Sequence, residues 1–299
     1  MVFTAGIDVG STYTKAIILG EDGELAGKGM MNTGFRLGEA AARTYEEALA
    51  QAGLAEDDVA YVISTGYGRY QVPFRDVQVT DLTAHARGAR FFFPNTHTVL
   101  DVGGQTMKAS RLDGRGKVWS FRLNDKCAAG TGAFLEKTAV YLGYNIEELG
   151  PLIATSKEAV PISGVCAVFA ESEVINHVST GAAPADIMHG AIVSLVGRSV
   201  QLMKRVRMEP EFTLVGGILR FETMVRVVSE ELNADVNVPP GDLVQYTGAI
   251  GAAVLAHRRL EKLREEGRLE ERLGQTTADG RPFDNAQDRP PAAELRVVS

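Results

Sequence analysis

The stretches GIDVGSTYTKAIIL (residues 6–19) and VLDVGGQTMKASRL (residues 99–112) are two copies of one pattern, and this pattern decides the fold. In each copy an apolar strand ends in Asp, one further residue and Gly. Small or hydroxyl residues follow, and a second strand carrying a Lys returns. Two apolar strands around a short glycine turn predict a β-hairpin. Because the hairpin occurs twice, we expect two lobes that are built alike.

Strands and helices alternate along the rest of the chain, which predicts the α/β class. Helical spacing of apolar residues over 37–54 ends at Gly53, and a second helix is predicted over 81–93. Further strands are predicted over residues 24–32, 59–68 and 211–217, and a helix rich in small residues over 246–260. The predicted segments are residues 1–94 for the first lobe, 95–245 for the second, 246–264 for a helix that packs back on the first, and 265–299 for a charged extension and disordered tail.

Composition excludes several classes of protein. The chain has 299 residues, 45% of them hydrophobic, and 32 glycines, as in a globular protein with many tight turns. Its net charge of -7 argues against nucleic-acid binding. No apolar run reaches the roughly 20 residues of a membrane span, and the N-terminal stretch lacks a signal-peptide pattern. We therefore expect a cytoplasmic protein that binds neither nucleic acid nor membrane, with no disulfide between its two distant cysteines.

The hairpin turns have the chemistry of a phosphate site. Glycine turns let backbone N–H groups approach phosphate oxygens, and the strand-end carboxylates Asp8 and Asp101 are suited to Mg²⁺ and to orienting water. The chain has no Walker P-loop sequence. Each hairpin alone is compatible with an ordinary Asp-Gly turn, but two copies favour a nucleotide clamp. Gly216 and Gly217, after the strand over 211–217, leave room for a flat ring.

The two cysteines share an unusual setting. Cys127 lies in NDKCAAGTGAFLE and Cys166 in CAVFAESEVI, each just before a predicted helix. A helix N-terminus favours a thiolate and other added negative charge, so metal or cluster ligation is indicated. The alternative is two small core side chains. A 4Fe-4S cluster takes four thiolates, which a two-fold dimer of this chain would supply; zinc in the same arrangement stays open.

The order of these motifs resembles known ATPases. Two phosphate hairpins, a Gly-Gly strand and a small-residue helix resemble the acetate kinase, sugar kinase, Hsp70 and actin superfamily, which implies an α/β, two-lobed, ribonuclease H-like ATPase fold. The stretches STGYGR, DVGGQTMK, NDKCAAGTGAFLE, CAVFAESEVI and LVGGILR, with the first hairpin, resemble the BadF/BadG/BcrA/BcrD ATPase family more specifically. These are activators of 2-hydroxyacyl-CoA dehydratases and ATPase subunits of benzoyl-CoA reductase.

The family resemblance implies a mechanism and a set of site residues. A ferredoxin or flavodoxin gives one electron to a 4Fe-4S cluster shared by two subunits, either identical chains or paralogous ATPase subunits. ATP hydrolysis to ADP with Mg²⁺ then drives the electron to acyl-CoA reductase or dehydratase subunits. The implied cluster ligands are Cys127 and Cys166, and Asp8 and Asp101 organise Mg²⁺ and water. The implied nucleotide contacts are Gly10, Ser11, Thr12, Lys15, Gly103, Gly104, Gln105, Thr106, Gly216 and Gly217, and Glu171 is a candidate catalytic or relay residue.

Other residues and alternatives carry less weight. Lys15 and Lys108 lie in returning strands, where a lysine is more often solvated, and the five histidines show no metal-ligand spacing and are expected at the surface or as satisfied core residues. Thr106 and the segments around residues 88–113 and 186–220 look more like the benzoyl-CoA reductase subunits than the dehydratase activators. The resemblance therefore predicts benzoyl-CoA reductase, an enzyme of anaerobic aromatic degradation, as the first partner and a 2-hydroxyacyl-CoA dehydratase as the alternative. A sugar or acyl kinase of the same superfamily and a nucleotide-sensing module remain as alternatives.

Overall fold

The first lobe is built around a five-stranded sheet. The computed structural model describes residues 2–124, 131–163 and 167–268. The strands of the first sheet are β1 (Phe3–Val9), β2 (Tyr13–Leu19), β3 (Leu25–Asn32), β4 (Val59–Thr65) and β5 (Val77–Gln78). They lie in the order β3-β2-β1-β4-β5, with an antiparallel meander from β1 to β3 and parallel pairing of β1 with β4.

The second lobe repeats this construction. Its strands are β6 (Thr98–Val102), β7 (Met107–Leu112), β8 (Val118–Asn124), β9 (Phe212–Val215) and β10 (Val236–Asn237). Their order, β10-β9-β6-β7-β8, is the same as that of the first sheet, with the antiparallel meander β6-β7-β8 and parallel pairing of β6 with β9. The predicted two-lobed, ribonuclease H-like α/β fold is therefore confirmed.

Helices cover both faces of each sheet. They are α1 (Leu37–Ala52), α2 (Asp81–Phe92), α3 (Gly132–Leu142), α4 (Leu149–Ala154), α5 (Ala167–Ser179), α6 (Pro184–Arg205), α7 (Glu222–Leu232) and α8 (Leu243–Glu265). The predicted helix end at Gly53 is confirmed, because Gly53 caps α1 in the left-handed conformation. Among the described residues, none of these helices is long and apolar enough to cross a membrane.

The alternation of side chains along β1 and β6 sets the layers. Ile7 of β1 packs with α1 on the outer face of the first sheet, while α8 packs on the inner face. In the second sheet Val99 packs with α2 on the inner face, and Leu100 lies in the large outer core. Successive strand residues point to opposite faces. Asp8 and Asp101 therefore both point into the layer between the sheets, where α2 and α8 lie.

Helices α2 and α8 touch at glycines. A Cβ atom on Gly251 of α8 would lie 1.8 Å from the carbonyl oxygen of Ala84, and one on Gly88 of α2 would lie 2.0 Å from that of Thr247. Only a residue without a side chain fits at such a crossing. The crossing places α2 between the second sheet and α8, which itself packs on the first sheet.

The predicted segment boundaries at residues 94, 245 and 264 stay predictions. Helix α8 packs against β1, β2 and β4 of the first sheet. The predicted disordered tail lies outside the described residues from position 269 onward.

Candidate functional site

The turns of the two hairpins meet between the lobes. Each turn is closed by an equivalent hydrogen bond, from Gly10 N–H to the Tyr13 carbonyl (3.1 Å) and from Gly103 N–H to the Thr106 carbonyl (2.8 Å). A Cβ atom on Gly104 would lie 2.3 Å from Oγ1 of Thr12, so the two turns are in contact. The nucleotide residues predicted in the turns, from Gly10 to Thr12 and from Gly103 to Thr106, are thus brought together.

Each strand-end aspartate faces the lysine opposite it on the hairpin. Asp8 is paired in register with Lys15, and Asp101 with Lys108. The Lys15 Nζ atom lies 3.6 Å from Oδ2 of Asp8, and the Lys108 Nζ atom lies 3.1 Å from Oδ2 of Asp101. Both aspartates are buried, and both lysine side chains are mostly buried. The expectation that the two lysines are solvated is therefore wrong, because the returning strand aims each of them at a buried carboxylate.

Helix α2 adds two polar groups that the sequence analysis did not assign to the site. Asp81 Oδ2 lies 2.8 Å from Lys108 Nζ, and His85 Nδ1 lies 3.2 Å from Oδ2 of Asp101. Burial raises the pKa of Asp81, but the Lys108 ammonium, His85 and the Leu82 N–H together outweigh it and hold that pKa below its usual value. Burial lowers the pKa of Lys108, but Asp101 and Asp81 outweigh it and raise that pKa. Lys108 is thus held as a cation between two carboxylates.

Gly248 of α8 opens the space beside Asp8. A Cβ atom at this position would lie 2.9 Å from Nε2 of His85 and 3.0 Å from Oδ2 of Asp8. His85 therefore lies between the aspartates of the two lobes. The available sequence signal was the spacing of Asp81, His85 and Gly88 on one face of a helix of small residues, since that face is the one that packs.

The predicted adenosine motif lies beside the second turn. Gly216 has φ of +105°, and a Cβ atom there would lie 2.3 Å from the carbonyl oxygen of Val102. The chain then makes a 3-10 turn over Gly217–Arg220, and Gly217 has the side chain of Gln245 nearby. A left-handed glycine without a side chain is what permits this close approach of β9 to the end of β6. The Gly-Gly pair thus borders the cleft at the carboxyl end of the second sheet.

Helix α3 is bonded to the second turn. Gly132 N–H donates to the carbonyl of Gly103 (3.0 Å), and Ala133 N–H donates to that of Gly104 (2.7 Å). These are N–H groups of the first turn of α3, which have no partner inside the helix. Helix α3 follows the segment that contains Cys127. A displacement of the Gly103-Gly104 turn therefore acts directly on that helix.

Cys127 and Cys166 lie outside the described residues, but the segments that lead to them converge. Asn124, at the end of β8, lines a cavity of about 560 Å³ together with Val193 and Ser194 of α6. Ser163 lines a neighbouring cavity of about 480 Å³ with the same two α6 residues. Ser194 Oγ also donates to the Ser163 carbonyl (3.2 Å). The last described residue before each cysteine, Asn124 and Ser163, thus lies beside the same turn of α6.

Glu171 lies on α5 and is paired with a lysine of α3. Its Oε2 atom accepts a hydrogen bond from Lys137 Nζ of α3 at 2.6 Å. This ion pair joins the two helices that follow the cysteines. The catalytic or relay role of Glu171 stays a prediction, and its observed contact is between helices.

Helices α3 and α5 also carry exposed apolar side chains. The exposed fractions are 73% for Val140, 63% for Phe169 and 51% for Ile175. Tyr141 and Val178 are exposed as well. Apolar side chains grouped on neighbouring exposed helices are typical of a surface that contacts another protein.

Known proteins share both the sequence and the geometry of this chain. A model of the BadF/BadG/BcrA/BcrD ATPase family matches residues 5–256. A 2-hydroxyisocaproyl-CoA dehydratase activator of Clostridioides difficile is 40% identical over 270 residues, which cover 89% of this chain and 98% of that protein. A benzoyl-CoA reductase subunit of Thauera aromatica is 35% identical over 281 residues, which cover 89% of this chain and 97% of the relative. The crystal structure of component A of the Acidaminococcus fermentans (R)-2-hydroxyglutaryl-CoA dehydratase superposes with a TM-score of 0.82 at 38% identity, covering 87% of this chain and 99% of that one.

Proposed function

Because the chain belongs to the BadF/BadG/BcrA/BcrD ATPase family, as its motifs predicted, we propose that it uses ATP hydrolysis to drive single electrons into an acyl-CoA dehydratase. The observation that carries this proposal is the pair of hydrogen bonds from Gly132 and Ala133 to the second glycine turn. They join the nucleotide side of the molecule to the helix that follows Cys127.

The residues between the lobes suit ATP and Mg²⁺. Bound MgATP would supply the hydrolysable phosphate bond and a divalent cation. The turns around Ser11 and Gln105 offer backbone N–H groups to phosphate oxygens without a Cβ atom in the way at Gly10, Gly103 and Gly104. Three carboxylates, Asp8, Asp81 and Asp101, face the two ammonium groups of Lys15 and Lys108, which leaves an excess of negative charge suited to a cation. We assign Asp8 and Asp101 to Mg²⁺ and the attacking water.

Four further nucleotide contacts are assigned from the positions of residues at the cleft, namely Thr12, Thr106, Gly216 and Gly217. Thr12 and Thr106 present hydroxyl groups beside the turns, and Thr12 already touches Gly104. Gly216 and Gly217 present bare backbone where adenosine would lie. Lys15 reaches Asp8, so we assign it to holding that carboxylate as well as to a phosphate.

The cysteines suit a cluster shared between two subunits. A 4Fe-4S cluster bound by Cys127 and Cys166 of each subunit would supply a one-electron carrier that a ferredoxin or flavodoxin reduces. The fit rests on Asn124 and Ser163, the last described residues before Cys127 and Cys166, which both lie beside Ser194 of α6. The exposed apolar side chains of α3 and α5, such as Val140 and Phe169, suit the second subunit of the dimer.

Backbone hydrogen bonds would couple the nucleotide site to the helices that follow the cysteines. When the second turn adjusts to a changed number of phosphates, Gly103 and Gly104 carry the first turn of α3 with them. The Lys137–Glu171 ion pair passes the displacement to α5. Both helices that follow the cysteines then move together, and a changed environment around the thiolates changes the driving force for electron transfer.

The electron acceptor is proposed from the relatives. Proteins named as dehydratase activators are 38–40% identical to this chain, against 35% for the benzoyl-CoA reductase subunit. A 2-hydroxyacyl-CoA dehydratase is therefore the first candidate, which reverses the order predicted from the sequence motifs. Benzoyl-CoA reductase subunits are the second, favoured by Thr106 and by the segments that resemble the reductase ATPases.

Two sets of variants test the proposal by separating iron binding from ATP hydrolysis. The protein is purified without air and analysed for iron, sulfide, ATP hydrolysis and the electron paramagnetic resonance signal after reduction by dithionite. Cys127→Ser and Cys166→Ser are expected to lose iron and the signal but still to bind ADP. Asp101→Asn is expected to keep iron and to lose hydrolysis. A wild-type protein without iron, with full ATPase activity after replacement of both cysteines, would contradict the redox function.

The acceptor is then identified by reconstitution. The reduced protein and ATP are mixed with either a 2-hydroxyacyl-CoA dehydratase or the remaining benzoyl-CoA reductase subunits. ATP-dependent turnover with the dehydratase alone is the expected result. Turnover with the reductase alone would instead select the second candidate.

A further inference from the structure

His85 lies between the sheets, beside Asp101 of the second lobe and beside Gly248 of α8. Its Nδ1 atom lies 3.2 Å from Oδ2 of Asp101, buried and outside good hydrogen-bonding geometry. Its Nε2 atom faces the space at Gly248, on whose other side lies Oδ2 of Asp8. The imidazole thus presents one nitrogen to the aspartate of the second lobe and the other toward the aspartate of the first.

The place of His85 is set by the helix crossing. Gly88 and Gly251 let α2 and α8 approach to backbone contact, and Gly248 leaves the imidazole and the Asp8 carboxylate room on the α8 surface. Asp81, one turn before His85, is held by Lys108 and fixes the beginning of α2 against the second hairpin. His85 itself is flanked by Gly248 on one side and by the Asp101 carboxylate on the other, a polar setting that mere space filling does not require.

We propose that His85 is a positioning residue for ATP hydrolysis, which holds Asp101 on the side of its carboxylate that faces Gly248 and Asp8. The inference rests on the proposed nucleotide site, in which the two aspartates organise Mg²⁺ and water. His85 acts through them and does not touch the nucleotide. Since the two carboxylates come from different lobes, their relative position depends on what lies between them, and His85 lies there beside Asp101 and Gly248.

Three substitutions separate the two contacts. The side-chain amide of Asn places its nitrogen near the Nδ1 position, and that of Gln places it near the Nε2 position. His85→Asn therefore keeps a donor for Asp101, His85→Gln keeps one beside Gly248, and His85→Ala removes both. His257→Asn is the matched control, because His257 lies on α8 next to Glu261 and outside the site.

The measurements are kcat and KM for ATP, the melting temperature, and the dissociation constant of ADP with and without Mg²⁺. In His85→Ala we expect kcat to fall between about tenfold and a hundredfold, with KM for ATP within about threefold, because misplaced catalytic groups cost turnover more than binding. The gain in ADP affinity on adding Mg²⁺ falls by about tenfold as well. His85→Asn recovers kcat to within about threefold, and His85→Gln does not.

The outcomes that overturn the inference are distinct. A His85→Ala variant with kcat and Mg²⁺ dependence within about twofold of wild type overturns it. Equal losses in the Ala, Asn and Gln variants, together with a lowered melting temperature, would assign His85 a structural role and also overturn it. A wild-type protein that does not hydrolyse ATP refutes the proposed function instead, so the two failures are distinguishable.

Discussion

Replacing Gly248 by alanine places a methyl group between His85 and Asp8. The new carbon would lie 2.9 Å from His85 Nε2 and 3.0 Å from Asp8 Oδ2, which is closer than ordinary van der Waals contact. Alanine gains about 1 kcal/mol over glycine in a helix interior. Overpacking a tight site costs about 1–3 kcal/mol. The net change in the free energy of unfolding is therefore a loss of no more than about 2 kcal/mol. ATP hydrolysis falls at least about tenfold, because the side chains that must move belong to the candidate site.

Two other helical glycines give the reference values. Nothing lies within 4 Å of a Cβ atom at Gly197 of α6, so Gly197→Ala is expected to stabilise the protein by about 0.5–1 kcal/mol and to leave hydrolysis unchanged. At Gly251 the new carbon would lie 1.8 Å from the backbone oxygen of Ala84 and 2.7 Å from the Gly88 nitrogen. Backbone atoms cannot rotate away, so α2 and α8 must separate. Gly251→Ala is expected to destabilise the protein by about 2 kcal/mol or more.

Urea unfolding followed by circular dichroism, with ATP hydrolysis at saturating ATP, checks all three variants. The expected signature is a stability gain at position 197, a small change at 248 and a large loss at 251, with activity lost at 248 despite a folded protein. If Gly248→Ala behaved like Gly197→Ala, gaining stability at full activity, the placement of His85 and Asp8 around this glycine would be refuted.

Four further predictions concern the charged groups and the cation they would bind. Lys108→Met leaves two buried carboxylates without their cation and is expected to cost about 3–5 kcal/mol in urea unfolding. The pKa of Asp81 is lowered in the folded protein. The ionised carboxylate therefore stabilises the fold above the unfolded pKa of about 4, and this contribution is lost as the pH falls through the folded pKa. Acid titration of the free energy of unfolding should show this loss in wild type and not in Lys108→Met. Glu171→Gln is expected to keep ATP hydrolysis within about twofold, because Glu171 contacts Lys137 of α3. Electron delivery to the acceptor should be slower in a reconstituted assay. Slowed hydrolysis would instead support the catalytic role predicted for Glu171. Removing Mg²⁺ with a chelator stops hydrolysis, and added Mg²⁺ restores it; full hydrolysis in the chelator would contradict the carboxylate site.

Sequence identity separates the two candidate electron acceptors by a small margin. Identity to the dehydratase activators exceeds identity to the reductase subunit by only a few per cent, and all of these relatives match along nearly their full length. The acyl-CoA substrate would be bound by other polypeptides, so the residues of this chain do not contact it under the proposed function. Reconstitution with each acceptor is therefore a more direct test than any substitution in the nucleotide site.

The sequence by itself determined the repeated architecture. Apolar alternation and glycine turns are local signals, so both hairpins, the helix that ends at Gly53 and the strand before Gly216 could be predicted and are found in the structure. The pairing of Asp8 with Lys15 and of Asp101 with Lys108 was also implicit, because the length of a tight hairpin fixes which residues lie opposite each other.

Only the tertiary structure decided what surrounds those pairs. Periodicity predicted α2 but not that its crossing with α8 would place His85 beside Asp101 and Gly248, since these residues are far apart in the chain. The bonds from α3 to the second turn were likewise invisible, because a backbone N–H carries no residue-specific signal. Local patterns fix hairpins and helices through nearest neighbours, whereas the burial and partners of a charged side chain depend on how whole layers pack.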